Sequence, residues 1–142
     1  MPAYTTLSQV TAKLPLDFVT EALDDDRDGV IDAGVWEAVS NGAGEEVDGF
    51  LAMRYPTPFT EPFPAIVTTA SLYFVMETLY DRRGITGEKN PYLTRAEAER
   101  KKLRDIGNGD TPLTPVFVKQ TPSVSAVTEP ARTSSASGYM SS

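Results

Sequence analysis

The run Ala65-Ile66-Val67-Thr68-Thr69-Ala70-Ser71-Leu72-Tyr73-Phe74-Val75-Met76-Glu77-Thr78-Leu79-Tyr80-Asp81-Arg82-Arg83 decides the fold class. Wound as a helix, Ile66, Val67, Ala70, Leu72, Tyr73, Phe74, Val75, Met76, Leu79 and Tyr80 cover nearly every side. A helix that is apolar all round is buried all round. Thr68, Thr69, Ser71, Glu77 and Thr78 make the run too polar, and it is too short, for a membrane span. It therefore predicts the middle of an all-α bundle, wrapped by the other helices or covered in part by neighbouring subunits.

Upstream, Arg54-Tyr55-Pro56-Thr57-Pro58-Phe59-Thr60-Glu61-Pro62-Phe63-Pro64 cannot be helix interior, because proline removes a donor and clashes with the preceding turn. It reads as a stiff, extended link, with Phe59 and Phe63 pinning it to the core. Before it, Val35, Val39, Val47, Phe50 and Leu51 share a face with Trp36 beside it, the pattern of a first long helix. Gly42, Gly44 and Gly49 weaken that helix in isolation and would let another backbone come close. Glu45, Glu46 and Asp48 read as its solvated face. Paired carboxylates can do acid–base work in a cleft, but nothing in the sequence supplies one. Earlier still, Thr5-Thr6-Leu7-Ser8-Gln9-Val10 is a capped helix start, and Pro15 opens a short helix with the stripe Leu16, Val19 and Leu23.

Downstream, Gly84 to Pro91 is a loop. Thr94-Arg95-Ala96-Glu97 has capping-box spacing and opens a helix through Leu103 and Ile106 to a stop at Gly107-Asn108-Gly109. Eight of the thirteen basic residues lie between Arg82 and Arg104. Arg100, Lys101, Lys102 and Arg104 could meet phosphates. With Glu97, Glu99 and Asp105 interleaved, a solvated, acid-pairing face is the better reading.

The 142 residues suffice for one small domain with an appendage. The expected architecture is a small all-α bundle of about five helices over residues 1–113, followed by an extended arm over 114–142. There is no cysteine and no histidine. That excludes a disulfide framework and removes the commonest general base and transition-metal ligand. Met1-Pro2-Ala3-Tyr4-Thr5 does not begin a signal peptide, so folding in a cytoplasm is expected. The net charge of −7 argues against a free-standing nucleic-acid binder. It is uneven: residues 1–61 carry twelve acids and three bases, −9, and residues 62–142 carry eight acids and ten bases, +2. An acidic half and a mildly basic half suit head-to-tail stacking of copies.

One motif carries chemistry of its own. In Asp24-Asp25-Asp26-Arg27-Asp28-Gly29-Val30-Ile31-Asp32, five carboxylates surround one glycine. Like charges that close need an answering cation or the positive end of the helix that follows. The spacing matches the front of an EF-hand calcium loop. Asp24, Asp26 and Asp28 fall at its first, third and fifth positions, Gly29 makes the turn, Val30 offers its carbonyl, and Asp32 acts through water. The twelfth position, where a bidentate Glu belongs, is Val35, and Glu37 comes two residues late. The plainer reading, which that mismatch favours, is an acidic helix entry capped by Asp32. Any calcium here would be structural, not catalytic.

The order of these features has a family likeness. Asp28-Gly29-Val30-Ile31-Asp32, Val47-Asp48-Gly49-Phe50-Leu51 with Arg54-Tyr55, the proline-rich link, the apolar helix, and Leu103-Arg104-Asp105-Ile106 followed by Gly109 and Leu113 resemble the Mu-type neck proteins of tailed bacteriophages. That family is similar to the wider group of head–tail connector, or adaptor, proteins. The likeness covers about Tyr4 to Leu113 and leaves out the tail. The Gly84–Pro91 loop is longer than the usual pattern, and Gly42 and Gly44 stand where an Ala-rich helix is expected.

The resemblance implies an all-helical adaptor with no catalytic residues, placed at the head–tail junction of the virion. It would form a closed ring of about twelve subunits, a dodecamer, between the portal protein and a stopper or tail-terminator component. DNA would pass through the lumen without sequence-specific binding. An acidic chain suits such a channel because it offers few phosphate anchors. The 29 residues from Thr114 are too poor in large apolar side chains to fold alone. They could span roughly 90–100 Å. Val116-Phe117-Val118, with Val124 and Val127 after them, are the expected partner-binding residues, adding to a sheet edge or lying in a groove.

Overall fold

The computed structural model describes residues 3–113, and among them every regular element is helical. The order is α1 (Leu7–Thr11), α2 (Leu16–Ala22), α3 (Val35–Leu51), α4 (Ala65–Arg82), a single 3₁₀ turn (Gly87–Lys89) and α5 (Leu93–Gly107). This is the small all-α bundle that the apolar run required.

Helix α4 is the hub. It packs against α1, α2, α3 and α5, and α3 and α5 also pack on each other. Val67, Ala70, Phe74, Val75, Met76 and Leu79 are buried along it, as expected of an apolar helix. The 3₁₀ turn interrupts the segment expected to be loop. Buried Asn90 clips that segment to α4: its amide donates to the Glu77 carbonyl at 3.0 Å and to Asp81 Oδ1 at 3.1 Å, while its carbonyl oxygen accepts the Tyr92 N–H.

The proline-rich link runs along the core, with cis peptides at Thr57-Pro58 and Glu61-Pro62. Phe59 and Phe63 pin it by enclosing Tyr4, at centroid distances of 6.1 and 4.9 Å. Tyr4 is 3 % exposed. Its hydroxyl donates to Asp48 Oδ1 at 2.7 Å and accepts the Phe59 N–H at 2.9 Å, tying the N-terminus, α3 and the link together.

Several local expectations need correction. The capping box is found at the start of α1, between Thr6 and Gln9, but not at Thr94: α5 begins at Leu93 with Tyr92 at its N-cap, two residues before the expected cap. Leu16 is exposed while Val19 and Leu23 are buried, because α2 is too short to bury a whole stripe. The supposed solvated face of α3 is largely partnered. Asp48 takes the Tyr4 hydroxyl, and burial pushes its carboxyl above the usual range against the pull of that hydrogen bond. Glu46 accepts from Arg100 Nε at 2.6 Å.

Arg100 also reaches Glu77 at 2.6 Å and Glu97 at 2.8 Å, so the acid-pairing reading of α5 holds at its centre. Glu99, by contrast, is 1 % exposed and lies on the same side as Ala96, Leu103 and Ile106. Of the three glycines of α3, Gly42 and Gly49 have open space around them, while Gly44 is buried. A close backbone approach stands at Gly107, where an added Cβ would stand 2.1 Å from the Phe50 carbonyl oxygen.

Candidate functional site

The acidic loop joins α2 to α3, and its conformation follows from its own side chains. Short aspartates bond readily to backbone N–H groups a few residues on. Asp24 Oδ2 accepts from Gly29 N–H at 2.7 Å and Oδ1 from Asp28 N–H at 3.1 Å. Asp26 Oδ1 also accepts from Asp28 N–H, at 3.2 Å, and Asp28 Oδ1 accepts from Val30 N–H at 3.0 Å. Asp32 Oδ2 accepts from Asp25 N–H at 2.6 Å, which closes the loop across its base. Gly29 turns with φ of 87°, where a side chain would be strained. Asp32 is therefore not the cap of α3; Gly34, at φ 84°, holds that position.

This wrapping brings four of the five carboxylates together. One oxygen each from Asp24, Asp26, Asp28 and Asp32 lies within 4.8 Å of the others. Oxygens bound to one calcium at 2.3–2.6 Å can be no more than roughly 4.6–5.2 Å apart, a limit within which these four fall. Val30 sits on the exposed rim beside Gly29. Val35 stands at the twelfth position, half-buried as the first residue of α3 and packed on the core, so it offers no carboxylate. Glu37 is exposed further along the helix.

Asp24 and Asp26 shift in opposite directions. The hydrogen bond with Asp24, then desolvation and the charges of Asp28 and Asp32, push Asp26 up to about 6. Desolvation works to raise Asp24 too, but the N–H groups of Gly29, Asp28 and Arg27 and the bond from Asp26 hold it below the usual range. Without a cation, a proton taken up by Asp26 below about pH 6 relieves part of the repulsion.

Asp25, the fifth carboxylate, faces away and pairs with Arg82 at the end of α4. Arg82 Nε also donates to the Ala22 carbonyl at 2.7 Å, and Arg83 pairs with Glu21. Sequence reading placed the aspartates but missed this clamp. The two arginines were visible as the start of the basic stretch, yet only the packing of α2 on α4 shows that they hold the loop. Among the described residues, nothing around the loop pairs a nucleophile with a base. The expected partner residues Val116, Phe117, Val118, Val124 and Val127 lie outside the described residues, as does the expected arm as a whole.

The family model described as Bacteriophage Mu, Gp36 matches residues 4–129. The match runs past Leu113 and takes in the stretch carrying those five residues, so the likeness extends further than the motifs up to Leu113 implied. No curated protein matches the chain.

Proposed function

Since the chain belongs to the bacteriophage Mu Gp36 family, we propose that it is a structural head–tail connector, a ring-forming adaptor placed beneath the portal of the virion. The observation that carries this reading is the family match over most of the chain. The helical body agrees with it. Among the described residues no helix is long and apolar enough to cross a membrane. The uneven charge, −9 over residues 1–61 and +2 over 62–142, supports assembly of copies through unlike faces.

In this reading residues 114–142 form an arm that grips a neighbouring subunit, the portal or the tail component, through Val116, Phe117, Val118, Val124 and Val127. The mass of the purified protein, alone and mixed with portal rings, tests the connector role; a chain that neither assembles nor joins the portal refutes it. Truncation after Leu113 tests the arm. The expected result is unchanged helicity and melting but failed attachment to portal-bearing heads. Normal yield of joined particles would remove the arm.

A second reading has its own support in the four gathered carboxylates: the loop takes a structural calcium that stiffens the entry to α3. It is compatible with the first and adds no chemistry to it.

A further inference from the structure

Helices α3 and α4 enclose a groove of about 690 Å³. Val35, Ala38, Val39 and Gly42 line its α3 side, and Phe74 and Thr78 its α4 side. A Cβ at Gly42 would touch nothing within 4 Å, so the groove is open at that point. The charged groups at its edges are answered within the chain: Asp25 pairs with Arg82, and Glu46 with Arg100. The groove therefore offers small and aliphatic surface with no spare charge, which suits a neutral apolar segment and would penalise a charged one.

The chain carries such a segment beyond the described body. Residues 114–128 hold a single charge, Lys119, and their longest apolar run is Val116-Phe117-Val118. The matched family region extends through residue 129, so it takes in this stretch. The starting point of the segment is fixed. Gly107 lies against Phe50, and the Leu113 N–H donates to the Tyr55 hydroxyl at 3.2 Å, so the chain leaves the body at the C-terminal end of α3. A run that follows so closely on an anchor, with Pro115 inside it, has less freedom to lose on docking.

Distance decides whose groove it fills. At 1.5 Å per residue, Val39 and Val35 stand roughly 18 and 24 Å before the end of α3 at Leu51. The backbone of Phe117, four residues past Leu113, can be no more than roughly 13–14 Å from it. Phe117 thus stops short of the apolar end of its own groove. A copy whose groove abuts this end of α3 is within reach, and a ring joins unlike patches of successive copies in that way.

We propose that Val116-Phe117-Val118 of one subunit lies in the α3–α4 groove of the next, with Phe117 seated on Val39 beside Gly42. This rests on the ring and arm readings above, and it names the arm's partner and its seat.

The chain has no cysteine, so introduced thiols report one contact at a time. Lys119→Cys falls on the same side of an extended run as Phe117 and leaves the apolar residues intact; Gly42→Cys enters open space. Both are made singly and together in the full-length chain and treated with a short bismaleimide, alone and on portal rings. A mixture of the single variants should give cross-linked heterodimers in excess of either homodimer, and the double variant should give covalent chains that lengthen up to the ring. Phe117→Ala should weaken assembly in sedimentation velocity at least about tenfold and leave the melting of the monomer unchanged.

A double variant that closes on itself as a monomer puts the segment in its own groove and overturns the proposal. Single variants that do not cross-link, or Phe117→Ala that assembles like wild type, while wild type forms rings, overturn the proposal and leave the ring intact. Wild type that assembles neither alone nor on portal rings overturns the ring reading and this contact with it.

Discussion

Replacing Gly107 by Ala should destabilise the bundle, although Ala is the better helix former. Gly107 is the last residue of α5, laid against the end of α3. A Cβ there would stand 2.1 Å from the Phe50 carbonyl oxygen and 3.2 Å from its carbon. Ordinary contact begins near 3.4 Å, so the two helices must part by about 1 Å. The obstacle is backbone and cannot rotate aside. Overpacking of this kind costs about 1–3 kcal/mol and sometimes more, while Gly→Ala in a helix returns at most about 1 kcal/mol. A backbone clash belongs at the upper end, giving a net loss of about 1–2 kcal/mol.

Gly42→Ala is the internal control. It too is a helical glycine, but it has open space around it, so it should gain up to about 1 kcal/mol. Urea unfolding followed by circular dichroism measures both. In a domain of this size each kcal/mol moves the melting temperature by about 4–8 °C, so the two variants should separate clearly and in opposite directions. If Gly107→Ala equals or exceeds wild type in stability, α5 does not dock on Phe50 and the α3–α5 contact is misplaced.

Three further outcomes are expected. Phe74→Ala should cost about 3–5 kcal/mol in denaturant melts, since the ring is 1 % exposed in the middle of α4; a loss below about 1 kcal/mol would mean that α4 is not core. Tyr4→Phe should cost about 1–3 kcal/mol at neutral pH by leaving the Phe59 N–H without its acceptor. Burial, followed by the hydrogen bond to Asp48, raises the Tyr4 hydroxyl above its ordinary 10.0 against the Phe59 N–H. Its contribution is therefore complete below pH 10.0 and lost as pH climbs towards the folded value, and Tyr4→Phe should lose less stability than wild type over that alkaline range; parallel curves would refute the burial. Calcium should bind at the millimolar end of the EF-hand range, since the closing Glu is missing, and should stabilise by about 1.4 kcal/mol at ten times its dissociation constant. Asp24→Asn should abolish that gain; no binding heat and no shift of melting with chelator would remove the metal.

The fold was legible where burial alone decides. Ten apolar residues spread round α4 require cover on nearly every side, from the other helices or from neighbouring subunits, and four prolines leave no solution but an extended link. What escaped was set by partners distant in sequence. Whether Glu46, Asp48 and Glu99 are wet or paired depends on Arg100, Tyr4 and the docking of α5, and no local pattern records which helix arrives. Gly107 shows the same limit. Its position at the end of a basic helix reads as a stop signal, yet its lack of a side chain is explained by a carbonyl more than fifty residues away.

The acidic loop divides along the same line. Asx-type bonds act over two to five residues, so the spacing of Asp24, Asp26, Asp28 and Gly29 already contains the turn that gathers them. The anchoring of that turn is not local. Arg82 is 57 residues from Asp25 and meets it because α2 packs on the last turn of α4. The loop that entry to α3 depends on is therefore clamped to the hub helix, and a cation drawn into the four carboxylates would act on a turn whose base is already fixed. Binding there would stiffen the α2–α3 corner and leave the α3–α4–α5 packing unchanged, which is why melting, and not any catalytic rate, is the readout that the loop's geometry calls for.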